Sequence, residues 1–517
     1  MKSNFLDKAI GALSPRAGFE RMKARAATEQ LETLLGELGG KRGYEGAGLG
    51  RRTEGWRTTP AGVNNENRPA MRLLRDRSRD LGRNNPYAKK AIQVFGSNVV
   101  GGGIKATSDL SAGKAKRLNK AWNRWADSPA CDFDGQRNFY GIERAVMRAV
   151  AESGEALVLR KRLTPAEAKK YGRGYPLQVQ VLEGDYLDSG RDYQLAEGGG
   201  RIIQGVEFDT NGRRVAYWLF SSHPGENVQW GDRTSKRIPA EDVLHIFEVL
   251  RPGQVRGIPF GVSAMLRLRD LDEYEDAQLI RQKIAACYAV IYSGAEFAGI
   301  GSEVPGTAAA NQGTIPTHIE PGMIEKVPAG STVTAVTPPP LVGYAEYVKA
   351  VLQAVAVGYG VTYEQLTGDY SNVNYSSARM ARLEFGAYVS ELQEMLIVQL
   401  CTPIWDWFVL AAFLVGETDE VGVGAKWTVP ARAMVDPAKE VKAIKEAVRA
   451  GFMSWSDAVL SLGNVPEELR AAIVADMKEA DKAKLKLTSD PRIFTDVGQP
   501  IDENAPATPT KETTPVK

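Results

Sequence analysis

The sequence predicts an α+β subunit in which helix dominates, and three observations predict it. Apolar residues recur at helical spacing in several long runs, the period switches to two between Leu177 and Phe247, and a polar loop at 363–376 is set between two long helical patterns. At 517 residues the chain has room for about three or four average domains, or for one elongated subunit of several modules.

Residues 16–38 read as an amphipathic helix and 39–55 as a Gly/Arg-rich connector too flexible to pack alone, so 1–66 form a basic arm. A helical region opens at Asn67. Asn85-Pro86 starts a helix whose Ala88, Ala91, Ile92 and Phe95 share one face, and the glycines Gly101 to Gly103 end it. Those glycines follow a helix rather than a strand and lack the Lys-Ser/Thr of a phosphate loop, so they are a turn. Helices over 112–126, with Leu118, Trp122 and Trp125, and over 139–153 lead into a strand at 156–160. LQVQVLEGDYL, GVEFDTNGRRVAYWLF and DVLHIFEV then alternate apolar with polar, and Asn211-Gly212 is a hairpin signal.

A long helix over 262–292 carries an expected buried stripe of Val262, Met265, Leu266, Ala277, Ile280, Ile284, Cys287 and Ile291. At 1.5 Å per residue it spans about 45 Å. Residues 294–340 are rich in Gly, Pro and Thr, with short strands around Pro321-Gly322. Tyr344, Tyr347, Val348, Val351, Leu352 and Val355 mark the next helix, and after the loop a helix over 377–415 bends at Pro403. A strand at 426–429 and helices over 437–450, 454–462 and 466–486 follow. The tail from Thr488 cannot bury enough apolar surface to fold.

Net charge is +2, yet residues 1–130 carry 25 Lys and Arg against 12 Asp and Glu (net +13), leaving the rest at −11. A tight nucleic-acid binder draws its affinity from many phosphate contacts, and this is not such a composition. Cys131, Cys287 and Cys401 stand far apart without ligand spacing, so neither a disulfide framework nor a zinc site is indicated. The first residues lack the apolar segment of a secretory signal, so synthesis is expected to end in the cytoplasm. Leu396 to Val415 has the length of a membrane span, but Pro403 and Asp406 sit near its middle and a central Asp costs about 2.5 to 3.5 kcal/mol on insertion. A helix buried in protein is expected there, and no membrane partner.

His223, His245 and His318 are not near a Ser or Cys pattern suggestive of a triad. The acids Asp270, Asp272, Glu273, Glu275 and Asp276 allow a metal-dependent DNA-processing hydrolase, since Asp272 and Asp276 share a helical face. A solvated face with acids in the helix's first half suits the helix dipole and is preferred, because the other partners of an Mg²⁺ site are not recognisable nearby. No cofactor is expected. A membrane channel built on 396–415 is the second rival.

Asp369, Ser371, Asn372, Asn374, Ser376 and Ser377 are turn and cap residues that break one helix and start the next, with Ser376 or Ser377 expected as N-cap. The string YEQLTGDYSNVNYSSARMAR at 363–382, with PGMIEKVPAGSTVTAVTPPP at 321–340, resembles the portal proteins of lambda-type tailed bacteriophages. The resemblance covers about 68–440 and is most specific at 363–379. It implies a portal fold: a wing at 67–261 and 377–436, stem helices at 262–292 and 341–362, a clip at 293–340, a tunnel loop at 363–376 and a crown at 437–487. It also implies a ring, a dodecamer in the family, around a DNA channel at one capsid vertex of the virion, without an active site of its own. Terminase, capsid and scaffold proteins and head-completion proteins are the implied partners. On that resemblance Thr367, Asp369, Tyr370, Ser371, Asn372, Asn374 and Tyr375 touch double-stranded DNA without reading sequence. An ordinary helix-to-helix turn is the alternative for the same residues. Ser302, Glu303, Asn311, Gln312, Glu320 and Glu325 fall in the clip, where terminase and connectors dock. Lys349, Arg379 and Arg382 face either the channel or a neighbouring subunit, and the resemblance does not decide which.

Overall fold

The structure is a computed structural model that describes residues 58–192, 199–226, 234–286, 343–432 and 436–488, with short pieces outside those ranges. It divides into two units, Met1–Gly62 and Val63–Lys517. In the first, residues 15–16, 19–20, 23–24 and 28 are helical, all but residue 15 within the helix expected at 16–38, and the Thr28 hydroxyl donates to the Ala24 carbonyl at 2.9 Å.

The second unit opens with α1 (Val63–Asn84), which turns Val63, Met71, Arg75 and Ser78 inward. Asn85 then caps α2 (Pro86–Phe95), its Oδ1 accepting from the amides of Tyr87 and Ala88 at 3.0 and 3.1 Å. Proline at the first helical position loses no bond, because that amide has no partner in any helix. A π-turn at Gly96–Val100 follows, and Gly103 closes it with φ +113. A Cβ there would lie 2.2 Å from the Tyr140 ring, so only glycine fits. The chain continues through β1 (Lys105–Ser108), α3 (Ala112–Ala126) and α4 (Phe139–Ser153). Asn138 caps α4 through the Gly141 amide at 2.9 Å. Both helices occupy the residues expected from periodicity.

The β-rich part has two antiparallel sheets. β2 (Glu155–Arg162) is followed by α5 (Pro165–Lys170) and β3 (Leu177–Glu183); β2 lies centrally between β3 and β9 (Val243–Phe247). Between them runs a meander of β4 (Gln194–Leu195), β5 (Arg201–Ile203), β6 (Val206–Phe208), β7 (Arg214–Leu219) and β8 (Lys236–Pro239). The expected Asn211-Gly212 hairpin joins β6 to β7, with Gly212 at φ +82.

α6 (Met265–Ala286) is shorter than the helix expected at 262–292. Residues 260–263 form a 3₁₀ turn, and β10 (Ala289–Ser293) pairs antiparallel with β11 (Thr332–Val336). The run Ala289-Val290-Ile291-Tyr292 is dense in β-branched and aromatic residues, which favours a strand over a further helical turn. The expected stripe also needs correction. Ala264, Met265, Leu268 and Leu271 are the buried positions, whereas Leu266 and Ile280 are 71% and 57% exposed. Of the strands expected around Pro321-Gly322, that dipeptide itself lies outside the described residues.

α7 (Tyr344–Tyr359) buries Leu352, Val355, Ala356 and Tyr359, while its expected stripe member Tyr347 is exposed. α8 (Tyr363–Thr367) is a five-residue helix, and α9 (Tyr375–Leu396) continues through a π-turn at Ile397–Cys401 into α10 (Thr402–Leu414). The interruption expected at Pro403 thus takes the form of a wider turn just before it, which accommodates the amide that proline lacks. The Gln399 side chain in that turn pairs with the backbone of Phe247, accepting from its amide at 3.0 Å and donating to its carbonyl at 3.2 Å. The turn is thereby fastened to the edge of β9.

By length and hydropathy Tyr375–Leu414 is apolar enough to cross a membrane, yet its second half is the centre of the protein core. Trp405 and Phe408 are fully buried against Trp122, with ring centroids 5.1 Å away in each case, and Trp122 also meets Phe139 at 5.1 Å. Asp406 points outward. β12 (Ala425–Thr428) pairs with β1 and closes that side. α11 (Pro437–Arg449), α12 (Trp455–Ser461) and α13 (Pro466–Lys482) end the described chain, with Phe452 88% exposed.

Candidate functional site

The signature segment between α7 and α9 builds itself from local hydrogen bonds. Thr362 and Gln365 form a reciprocal capping box at the start of α8, each bond at 3.2 Å, and the spacing T-x-x-Q announces it in the sequence. Gly368, at φ +74, ends α8 in the left-handed conformation. The Thr367 hydroxyl donates to the Tyr363 carbonyl at 2.8 Å and accepts from the Asp369 amide at 3.2 Å. Asp369 Oδ1 accepts from the amide and hydroxyl of Ser371 at 3.0 and 2.6 Å, and these bonds hold its carboxyl below the usual range. The Val373 amide then reaches the Tyr370 carbonyl at 3.3 Å. The loop therefore satisfies itself and leaves Tyr370 63% exposed, with Ser371, Asn372 and Asn374 exposed beside it.

One expected role moves. The N-cap of α9 is Asn374, not Ser376 or Ser377: its Oδ1 accepts from the Ser377 amide at 2.8 Å, and its own amide donates to the Ser377 hydroxyl at 3.1 Å. Asn with Ser three residues on is a weaker signal than the Ser/Thr…Glu/Gln pattern, which is why two adjacent serines looked equally suited. Tyr375 is consequently the first residue of the helix, with Lys439 Nζ 5.5 Å from its ring centre.

Beside the loop lies a groove of about 580 Å³ between the start of α9, residues 97–102 and residues 430–432. Ala378, Ala381, Phe385 and Val389 form its apolar wall, and Arg382, Arg432 and Glu364 are its charged groups. Arg432 is spent within the chain, donating to the Gly386 carbonyl at 2.6 Å and to the Ser390 hydroxyl. Arg379 and Arg382 have no hydrogen-bond or ion-pair partner among the described residues. Lys349 is half-buried on α7, its Nζ 5.8 Å from the centre of the Tyr363 ring. The candidate clip residues Ser302, Glu303, Asn311, Gln312, Glu320 and Glu325, and His318, lie outside the described residues.

A second polar cluster, which sequence reasoning missed, is wholly buried. Glu155 at the start of β2 accepts from Arg75 at 2.6 Å, from Arg256 at 2.5 to 3.0 Å, and from the Gly257 amide at 3.0 Å, while His245 Nε2 lies 2.9 Å from its Oε2. Burial alone would raise this carboxyl, but Arg256, His245 and Arg75 outweigh it and hold the group well below the usual range. Burial lowers His245 to about 4, against the raising effect of Glu155, so the ring is neutral. Arg256 also donates to Ser189 Oγ and to the carbonyls of Gln204 and Gly184. The cluster ties α1, both strands and the meander to the segment that enters α6.

Glu143 is the opposite case. It is fully buried with no cationic side chain bonded to it, accepting from the Ile104 amide at 3.0 Å with Cys401 Sγ at 3.5 Å, and burial pushes it up to about 8.

The acids of α6 do not converge on a metal geometry. Asp272 accepts from Asn85 at 2.9 Å and Glu273 pairs with Arg269 at 2.8 Å, while Asp270 and Asp276 face outward. Among the described residues, Glu183, Asp185 and His223 are the one group spaced to hold a metal. Arg79 already bonds both carboxylates there, at 2.6 and 2.5 Å, in the place a cation would take.

The description "phage portal protein, lambda family" is that of the family model matching residues 49–393, more than half of the chain, and the chain belongs to that family. Its function is that of a phage portal protein. It is 26% identical to the probable portal protein of Halomonas phage phiHAP-1 over 78% of this chain and 80% of the relative. It is 24% identical to portal protein B of Escherichia phage lambda, over 89% and 95% of the two chains. A chain from the neck of a native GTA particle, computed with C12 symmetry, aligns at TM-score 0.41 with 16% identity, covering 75% of this chain and 94% of that one.

Proposed function

We propose that this portal protein assembles as a closed ring, a dodecamer as in its family, whose central channel passes double-stranded DNA at one capsid vertex of the virion. Portal proteins form ring oligomers, and a cyclic ring makes each subunit bury two different faces. The subunit, made in the host cytoplasm, carries no reaction of its own. A separate ATP-hydrolysing terminase supplies packaging energy, docking on the clip at 293–340, where head-completion proteins later attach. The sheet-bearing residues before α6 and those of 377–436 serve as the wing, α6 and α7 as the stem, and α11 to α13 as the crown against capsid and scaffold.

The observation that carries the channel reading is the self-satisfied, exposed loop from Thr367 to Tyr375, held out between α8 and α9. A loop whose polar groups bond one another needs nothing from the body of the subunit, so its outward side chains are available to a phosphate backbone. The test is electron-microscopy class averaging of the purified chain together with the DNA content of particles built on Tyr370→Ala and Asn372→Ala subunits. Rings with a central hole and particles that lose DNA are expected. Intact rings with unchanged DNA content would make the loop an ordinary turn between helices.

A further inference from the structure

Two faces of this chain are left uncovered by the described residues and are complementary. The first is the groove at the start of α9, where Ala378, Ala381 and Phe385 line an apolar wall and Arg382 stands half-buried with no partner among the described residues, Arg379 lying one turn earlier. The second is the outward side of α6. Leu266, Asp270, Glu273, Ala277 and Ile280 are all exposed and follow one another at spacings of four, three, four and three, which places them on one helical stripe opposite buried Leu268 and Leu271. Apolar side chains 71% and 57% exposed at Leu266 and Ile280 are an odd use of a long helix in water, and Asp270 has no partner among the described residues. An apolar wall with guanidinium groups matches an apolar stripe with carboxylates.

We propose that in the ring the α6 stripe of one subunit seats against the α9 groove of its neighbour, with Arg379 and Arg382 of that neighbour pairing to Asp270 of the first and to its Glu273, which Arg269 then shares. This deepens the ring reading and rests on it. Three arguments select a second copy as occupant. Both faces belong to the same chain, and a cyclic ring requires two different faces of every subunit to meet. Arg379 and Arg382 are opposite in sign to the unpaired Asp270 and to Glu273, which Arg269 holds at 2.8 Å, and such pairing fixes register. A groove of about 580 Å³ takes a few side chains and not a duplex, so Arg382 is turned to protein rather than to DNA.

A charge swap and a cross-link test it. Arg379→Glu with Arg382→Glu should lower the ring fraction at a given concentration by about ten-fold or more, because like charges then meet across the interface. Asp270→Lys with Glu273→Lys should do the same, and all four changes together should restore rings. Separately, in a Cys287→Ser background, Ala277→Cys with Ala381→Cys should give, on mild oxidation, a ladder of covalent oligomers that neither single cysteine gives, since the remaining Cys131 and Cys401 are buried. Restoration and the ladder carry the proposal. Rings that survive the arginine reversals while particles lose DNA would overturn it and turn these arginines to the channel. Absence of the ladder in rings of the double-cysteine protein would overturn it as well. A wild-type chain that stays monomeric would instead defeat the ring reading itself, which the same sedimentation run reports.

Discussion

The cluster around Glu155 and the loop from Thr367 to Tyr375 are both dense in polar side chains, and they do opposite things because one is dry and the other wet. At Glu155 every carboxylate lone pair is met by a donor drawn from distant parts of the chain, Arg75, His245 and Arg256. In the loop each bond is made within a few residues, Thr367 to Tyr363, Ser371 to Asp369 and Ser377 to Asn374. Long-range bonds in a buried site hold modules together. Short-range bonds at the surface hold a shape while leaving its outer groups free.

The sharpest way to break that contrast is to remove a charge from the dry cluster. Glu155→Ala leaves the buried Arg256 guanidinium without its anion and Arg75 with Asp185 alone, and losses of about 3 to 5 kcal/mol are expected for one half of a buried pair. Thermal and urea unfolding should show a subunit that hardly folds. Acid should act in the same direction. The folded pKa of Glu155 is depressed and His245 is held at about 4, so both bind protons more weakly in the folded state than unfolded. Stability contributed by the pair is present above about pH 6.5 and is lost as pH falls through the range of the two folded values.

Glu143 gives the reverse sign and the next largest effect. Its folded value of about 8 lies above the unfolded one, so the folded state holds the proton longer. Stability should fall as pH rises from about 4.5 to about 8, by about 1.4 kcal/mol per unit, and level off above that. Glu143→Gln should remove this contribution, read in urea unfolding between about pH 6.5 and 8, above the range in which His245 adds a slope of opposite sign. A slope that persists in the variant would assign it to another group.

In the loop the effects shrink. Asn374→Ala removes the α9 cap and should cost about 1 kcal/mol, read as a small fall in the melting temperature. Asn372→Ala, whose side chain makes only a 3.4 Å contact with Ser371, should leave stability within about 0.5 kcal/mol. If Asn372→Ala destabilised as much as Asn374→Ala, the loop would be packed rather than presented.

The same contrast explains what the sequence could reveal. Helices such as Ala112–Ala126 and Phe139–Ser153, and the hairpin at Asn211-Gly212, were legible because periodicity, caps and turn residues are local. The loop's self-bonding character was legible for the same reason, down to a shift of two or three residues in the cap of α9. The Glu155 cluster was not, since its arginines stand 80 and 101 residues away and nothing local announces their meeting. Periodicity also located the apolar residues of α6 without telling which neighbour covers them, so Leu266 and Ile280 were expected inside and lie outside. The strand at Ala289–Ser293 was hidden because a short apolar run suits helix and strand alike until its pairing partner is known. The reading as a portal came from the resemblance of 363–382 and 321–340, not from any chemistry those residues display.

The central claim is that the loop of an assembled ring faces packaged DNA, and a photoreactive amino acid placed at Asn372 tests it most directly. In DNA-filled particles, irradiation should cross-link that position to DNA in a salt-insensitive covalent product, while the same group at Phe452, also exposed in the subunit, should give none. Cross-links at Phe452 and none at Asn372 would contradict the account.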